Sequence, residues 1–245
     1  MDLFAQGLTE VNYEQQTLAS PSALRRLSHR SRFSIAIELL DPKPGDRILD
    51  YGTGDAELLV QLAQRERALA LCGYEPSPWT FREAVEKTAK VQPAVKIVAE
   101  PRELAEFAPS KIACLEVLEH LPPPLLETVL AELSELARSG ARLVVSVPIE
   151  VGPPALVKYV VRRLSRPESR RSVREIWQVL LGRTQGITRA VSEGAISEHF
   201  GFDFRALPAA FARHGLRVER RVTSPFPPLG QWLNSQMFYV LAATA

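Results

Sequence analysis

Cysteine is nearly missing from this chain: two in 245 residues, Cys72 and Cys114. Both stand in apolar runs, so they read as buried hydrophobes in a reducing compartment rather than as a disulfide framework. Histidine is almost as scarce, with four residues. No Cys/His spacing marks a metal site, and no metal is expected. No apolar run approaches the ~20 residues that span a bilayer. The start, MDLFAQGLTEVNYEQQ, carries acids and no basic region, which reads against a secretory signal. These absences together predict a cytoplasmic protein. A net charge of +2 is too small to argue for nucleic acid as a partner.

What is present is a rhythm. The first forty residues read as helical and amphipathic, and DPKPGD at 41–46 ends them. Strands are then predicted at 47–50, 68–74, 95–99, 112–117 and 142–148, and helices at 57–67, 79–90 and 125–137. That alternation predicts an α/β fold, a parallel sheet with helices on both faces. Residues 150–200 break the rhythm with arginines and prolines and read as two or more short helices. A helix at 203–214 and strands at 216–223 and 235–243 resume the sheet.

Two glycines sit at the first strand-to-helix junction, ILDYGTGDAELL at 48–59. Glycines there allow a tight turn and let backbone N–H groups approach a ligand. The pattern is not a dinucleotide fingerprint. Counted from Gly52, the third glycine of G-x-G-x-x-G falls on Glu57, whose charge would repel a pyrophosphate. Asp50 before the turn suits a cationic ligand, such as the ammonium and sulfonium of S-adenosylmethionine. Ala56 is expected inside the helix start with negative φ, where a methyl costs little. Glu75 ends the next strand and could accept both hydroxyls of an adenosine ribose, a pattern that also fits NAD.

The motifs GTG at 52–54, GYEPSP at 73–78, KIVAEPRELA at 96–105, CLEVLEHLPPP at 114–124 and ARLVVSVPIE at 141–150 follow in order. Together they resemble the class I, Rossmann-like S-adenosylmethionine-dependent methyltransferases, in particular members carrying EVLEHL. The likeness covers about 45–150 and, more weakly, 200–245. It implies a seven-stranded methyltransferase sheet whose last strand is antiparallel, with an N-terminal helical cover and a helical insertion after the fifth strand. It implies Asp50, Gly52 and Gly54 around the methionine part of the cofactor, Glu75 at the ribose, Glu100 near the adenine and Glu116 lining the cleft. Glu100 stands where the family usually has an aspartate. S-adenosylhomocysteine would be the product. The expected layout is one methyltransferase domain over 1–245. Within it, 1–40 is the helical cover, 41–149 the cofactor-binding core, 150–200 the basic lid and 201–245 the rest of the sheet.

Methyl transfer is an in-line displacement, so the protein must align the acceptor and exclude water. An alcohol acceptor must also lose a proton, typically to a histidine or carboxylate. His120, just past the fourth strand, and His199, before the helix at 203, are the catalytic candidates. His214 reads as a helix C-terminal residue and His29 as a surface one.

Between 151 and 195 stand nine basic residues against three acids. Lys158, Arg162 and Arg163 are the substrate-binding candidates, suited to a phosphate, carboxylate or anionic headgroup. PPALVKYVVRRL at 153–164 also reads as an amphipathic helix, with Leu156, Tyr159, Val160 and Leu164 on one side, able to contact a membrane peripherally. The reading is O-methylation of a small anionic, lipid-linked or sugar-linked metabolite. Alternatives are N- or C-methylation by the same fold, or a non-catalytic cofactor-binding partner protein.

Overall fold

The computed structural model describes residues 23–104, 106–165, 171–187, 189, 191–192, 195–196 and 199–244. Residues 1–22 of the expected cover, and Arg166, Glu168, Arg170 and Glu193 of the lid, lie outside them.

The chain opens with α1 (Ala23–Leu40), then β1 (Arg47–Tyr51), α2 (Glu57–Arg65), β2 (Ala70–Tyr74), α3 (Pro78–Thr88) and β3 (Val95–Val98). It continues with β4 (Lys111–Leu115), α4 (Pro123–Ala137), β5 (Arg142–Pro148), α5 (Pro153–Ser165) and α6 (Val173–Leu180). The short strands β6 (Val191–Ser192) and β7 (Ala195–Ile196) precede α7 (Leu207–Arg213), β8 (Leu216–Ser224) and β9 (Gln236–Ala243).

The seven-stranded sheet runs β3-β2-β1-β4-β5-β9-β8. The first five are parallel, and β9 is antiparallel to both β5 and β8. This is the Rossmann-like methyltransferase fold. The strand order reverses between β1 and β4, and α/β sheets bind ligands at such a switch point, outside the carboxyl ends of the strands.

Alternation along the strands builds a core on each face. In β5, Leu143, Val145 and Val147 join one cluster with α4 and α7, while Val144 joins the other with α1 and α2. Phe33, Ala36, Ile37, Leu39 and Leu40 of α1 are buried on that second face, so α1 is a packed cover. Fully burying one such leucine or phenylalanine contributes about 1.5–3 kcal/mol.

Several elements depart from the expected spans. The helix predicted at 203–214 is a 3-10 turn, Phe204–Ala206, leading into α7, with Pro208 in the first turn of α7. The region 150–200 holds α5 and α6, and also the two-stranded ladder β6-β7, which the sequence reading lacks. The start of α6 is set by a capping box: Ser172 Oγ accepts the N–H of Glu175, whose carboxylate accepts the N–H of Ser172. Among the described residues no helix is long and apolar enough to cross a membrane.

Candidate active site at the ends of β1 and β4

The turn after β1 is left-handed at three positions: Gly52 (φ 77°), Gly54 (φ 58°) and Ala56 (φ 64°). The expectation that Ala56 lies in the helix with negative φ is therefore corrected. Ala56 is the N-cap residue of α2 in the αL conformation, where a side chain costs about 1–2 kcal/mol. Burial of its methyl in the α1–α2 cluster offsets part of that cost. The two glycines differ. A Cβ on Gly52 would stand 2.5 Å from Val117 Cγ2, so the exit of β4 closes over it; a Cβ on Gly54 would meet nothing within 4 Å.

Asp50 and Glu75 flank this turn, both buried. Asp50 Oδ2 accepts the Thr53 hydroxyl at 2.8 Å. Glu75 Oε2 accepts the Gly54 N–H at 2.9 Å and Oε1 the Ser77 N–H at 3.0 Å. Burial pushes both carboxyls up to about 7 against these hydrogen bonds. Two buried carboxyls that titrate near neutrality make a site poised for a cation. Each oxygen keeps a lone pair free for a ligand hydroxyl. Glu100 follows β3, and its carbonyl accepts the Glu103 N–H at 3.1 Å; it is part-buried.

The exit of β4 carries a second group. Glu116 has φ 56°, a strained conformation for a residue other than glycine, and its Oε1 is buried with no hydrogen-bond partner. Glu119 is 0% exposed, and neither of its carboxylate oxygens has a hydrogen-bond partner. Burial, and then repulsion by Glu116, raises its pKa well above the usual range. His120 Nδ1 lies 2.8 Å from the Ile196 carbonyl. A carbonyl only accepts, so Nδ1 carries the hydrogen and Nε2 of the neutral ring keeps its lone pair. The rings of His120 and His199 meet edge to face, centroids 4.6 Å apart. Residues 79 positions apart in the chain thus meet beside β7.

Sequence reasoning missed Glu119 and Arg32, and counted Arg189 only among the lid's basic residues. Arg189 Nη1 donates to the Glu119 carbonyl at 2.7 Å, and its guanidinium lies over Phe202. Arg32, on α1, holds both Asp50 and Glu119 toward the charged form. The signal for Glu119 was in EVLEH, where one short turn places two carboxylates and an imidazole together.

The lid cations are placed unevenly. The Lys158 ammonium reaches Glu150 Oε1 (3.1 Å) and the carbonyls of Ile149 (3.1 Å) and Ser235 (2.9 Å), so its three donors are occupied inside the protein. Arg163 is part-buried, and Arg162 lies on α5. Arg171 pairs with Glu175 and covers the Phe200 ring. Only part of the expected apolar side of α5 faces outward, and the side chain of Leu164 lies outside the described residues. Tyr159 packs inward near Phe200, while Leu156, Val157 and Val160 are exposed. A cavity of about 80 Å³ lies between Ile149, Leu181, Phe204 and Trp232, beside the exit of β5. Cys72 and Cys114 are buried free thiols in the strands, and His214 bonds Glu127 at the end of α7.

Comparison with known proteins bears on the family and the fold. A family described as a methyltransferase domain matches residues 22–219. A search of curated proteins found no match. Among solved structures, the magnesium protoporphyrin IX methyltransferase of Synechocystis PCC 6803 with bound S-adenosylhomocysteine is similar (16% identity, TM-score 0.55). The alignment covers 98% of this chain and 90% of that one. A TehB-like S-adenosylmethionine-dependent methyltransferase from Corynebacterium glutamicum aligns at 14% identity and TM-score 0.53, covering 95% and 94%. The PH0226 protein from Pyrococcus horikoshii aligns at 12% identity and TM-score 0.60, covering 95% and 97%.

Proposed function

The chain belongs to the S-adenosylmethionine-dependent class I methyltransferase family, and from that premise we propose that it methylates an oxygen of a small anionic, lipid-linked or sugar-linked acceptor. The cofactor is S-adenosylmethionine and the product S-adenosylhomocysteine. In this reading Gly54 opens the turn to the methionine part, Asp50 attracts its cationic groups, and Gly52 lets the β4 exit close over the turn. Glu75 takes the ribose hydroxyls, Glu100 lies toward the adenine, and Glu116 lines the cleft.

The observation that carries the choice of oxygen is the pairing of His120 and His199 at 4.6 Å beside the β4 exit. An alcohol must shed a proton as the methyl arrives, and imidazoles beside buried carboxylates serve that need. The S–CH3 bond breaks with its electron pair left on sulfur while the O–CH3 bond forms. The basic lid, with Arg163 as its available candidate, suits the acceptor's anionic part. The cavity beside Trp232 and the exposed Leu156, Val157 and Val160 suit a hydrocarbon part or a peripheral contact with lipid.

Transfer from cofactor labelled with carbon-13 in its methyl group tests the reading. The product's methyl resonance separates O–CH3 from N–CH3 and C–CH3. An N-methyl or C-methyl product overturns the choice of oxygen. A Michaelis constant for the acceptor that ignores ionic strength counts against an anionic acceptor.

A further inference from the structure

The Glu119 carboxyl is buried and takes no hydrogen bond from any other residue. A carboxylate wholly removed from water, with neither oxygen hydrogen-bonded, costs several kcal/mol (about 1–3 for each unmet polar group, more when charged). Such a group implies a ligand that the protein chain does not itself supply. Arg189 does not fill that need, because the bond it gives goes to the Glu119 backbone carbonyl.

The neighbours say what the ligand is. A carboxylate oxygen of Glu119 and one ring nitrogen each from His120 and His199 lie within 4.8 Å of one another. Ligands bonded to one zinc at about 2.0–2.2 Å stand about 3–3.5 Å apart in a tetrahedron, so closure needs side-chain shifts of roughly an ångström. The Ile196 carbonyl fixes the His120 ring and its tautomer, the usual way a protein orients a metal-ligating imidazole. Glu116 adds a second carboxylate with a buried, unbonded oxygen and a strained backbone.

We propose that Glu119, His120 and His199 form a site for one divalent transition ion of the zinc or manganese kind, which holds and activates the acceptor's oxygen. Two imidazoles and a carboxylate are a borderline donor set that suits such ions and leaves coordination positions open. Glu116 adds negative charge beside the ion. With the ion bound, the two imidazoles would serve the proton loss as its ligands rather than as bases: the ion would acidify an acceptor hydroxyl, the proton would pass to solvent water, and the O–CH3 bond would form as the S–CH3 bond breaks with its electron pair left on sulfur. Because an ion takes two oxygens at once, acceptors with vicinal oxygens are favoured. The sequence reading expects no metal because it weighs Cys/His spacing, and this site is built from E-x-x-E-H plus a histidine 79 residues on.

The inference rests on the methyltransferase reading, and the test separates the two. Full-length protein is freed of metal with a chelator, then titrated with Mn2+ alone, read by loss of the free-ion electron paramagnetic resonance signal. A parallel calorimetric titration uses S-adenosylhomocysteine. The expected result is one Mn2+ per chain, weakened about tenfold or more in Glu119→Gln and in His199→Ala, with S-adenosylhomocysteine affinity unchanged. Co2+ in place of Mn2+ should give a visible absorption band that His199→Ala alters. His199 is partly exposed, so this variant decides the matter even if Glu119→Gln does not fold. Wild-type protein that binds S-adenosylhomocysteine but neither Mn2+ nor Co2+ overturns the metal site and leaves the methyltransferase reading standing. Binding of neither overturns both. Mn2+ binding retained by both variants overturns the assignment to these residues.

Discussion

The side chain of Glu75 accepts the backbone N–H of Gly54 at 2.9 Å, across 21 residues of sequence. The acid that ends β2 therefore holds the glycine turn that ends β1. With its other oxygen on the Ser77 N–H, Glu75 is fixed in place before any ligand arrives. A group so positioned loses little freedom on binding, which is how a site converts geometry into affinity.

The two glycines of the turn should respond differently to a methyl. Gly52→Ala drives a Cβ to 2.5 Å from Val117 Cγ2 at φ 77°, so it should destabilise the fold by about 2 kcal/mol or more. Gly54→Ala meets open space and should cost about 1–2 kcal/mol of backbone strain, while its larger effect falls on cofactor affinity. Thermal denaturation beside calorimetric titration of each variant separates the two effects.

Stability of the unliganded protein should fall as pH rises from 5 to 8. Asp50 and Glu75 are both pushed up to about 7 by burial, against carboxyls near 4 in the unfolded chain. A raised folded pKa adds stability that is complete below the unfolded value and is lost as pH passes the folded one. The thermal midpoint should drop by several degrees across that window. S-adenosylmethionine, a sulfonium cation, should bind more tightly at pH 8 than at pH 6. The thioether S-adenosylhomocysteine should show the weaker pH dependence.

Lys158 should behave as a structural residue. Its ammonium faces Glu150, whose side chain is 2% exposed. Lys158→Ala takes the ammonium away from that buried carboxylate, at a cost of about 3 kcal/mol. Adding Glu150→Gln should recover much of the lost midpoint, because the charge is removed with its partner. Equal losses in the single and double variants would contradict this account.

His120 and His199 should separate turnover from cofactor binding. Each alanine variant should lower turnover at least about tenfold with unchanged S-adenosylhomocysteine affinity. Two fully active variants would remove both residues from the chemistry.

The order of strands and helices was legible because each is a local pattern: apolar runs of strand length, glycine breaks and helical periods. β5 was predicted at its observed limits, Arg142–Pro148. The positions of Asp50 near the end of β1, Gly54 in the turn after it and Glu75 just past β2 were legible for the same reason. Ala56 was misread because φ at a helix entrance depends on how the turn closes, and alanine gives no sign of αL. Lys158 was misassigned to the lid's outward charge because its three acceptors come from the exit of β5 and from Ser235, far along the chain. Glu119 was overlooked for a similar reason. Its carboxyl is buried with no hydrogen bond from another residue, and that is a property of packing.

The most direct measurement is calorimetric titration of the folded chain with S-adenosylhomocysteine, wild type against Glu75→Ala. The account predicts one-to-one binding by the wild type and a loss of about tenfold or more in the variant, since two hydrogen bonds to a carboxylate are removed. No binding by folded wild-type protein, or equal affinity in Glu75→Ala, would contradict it.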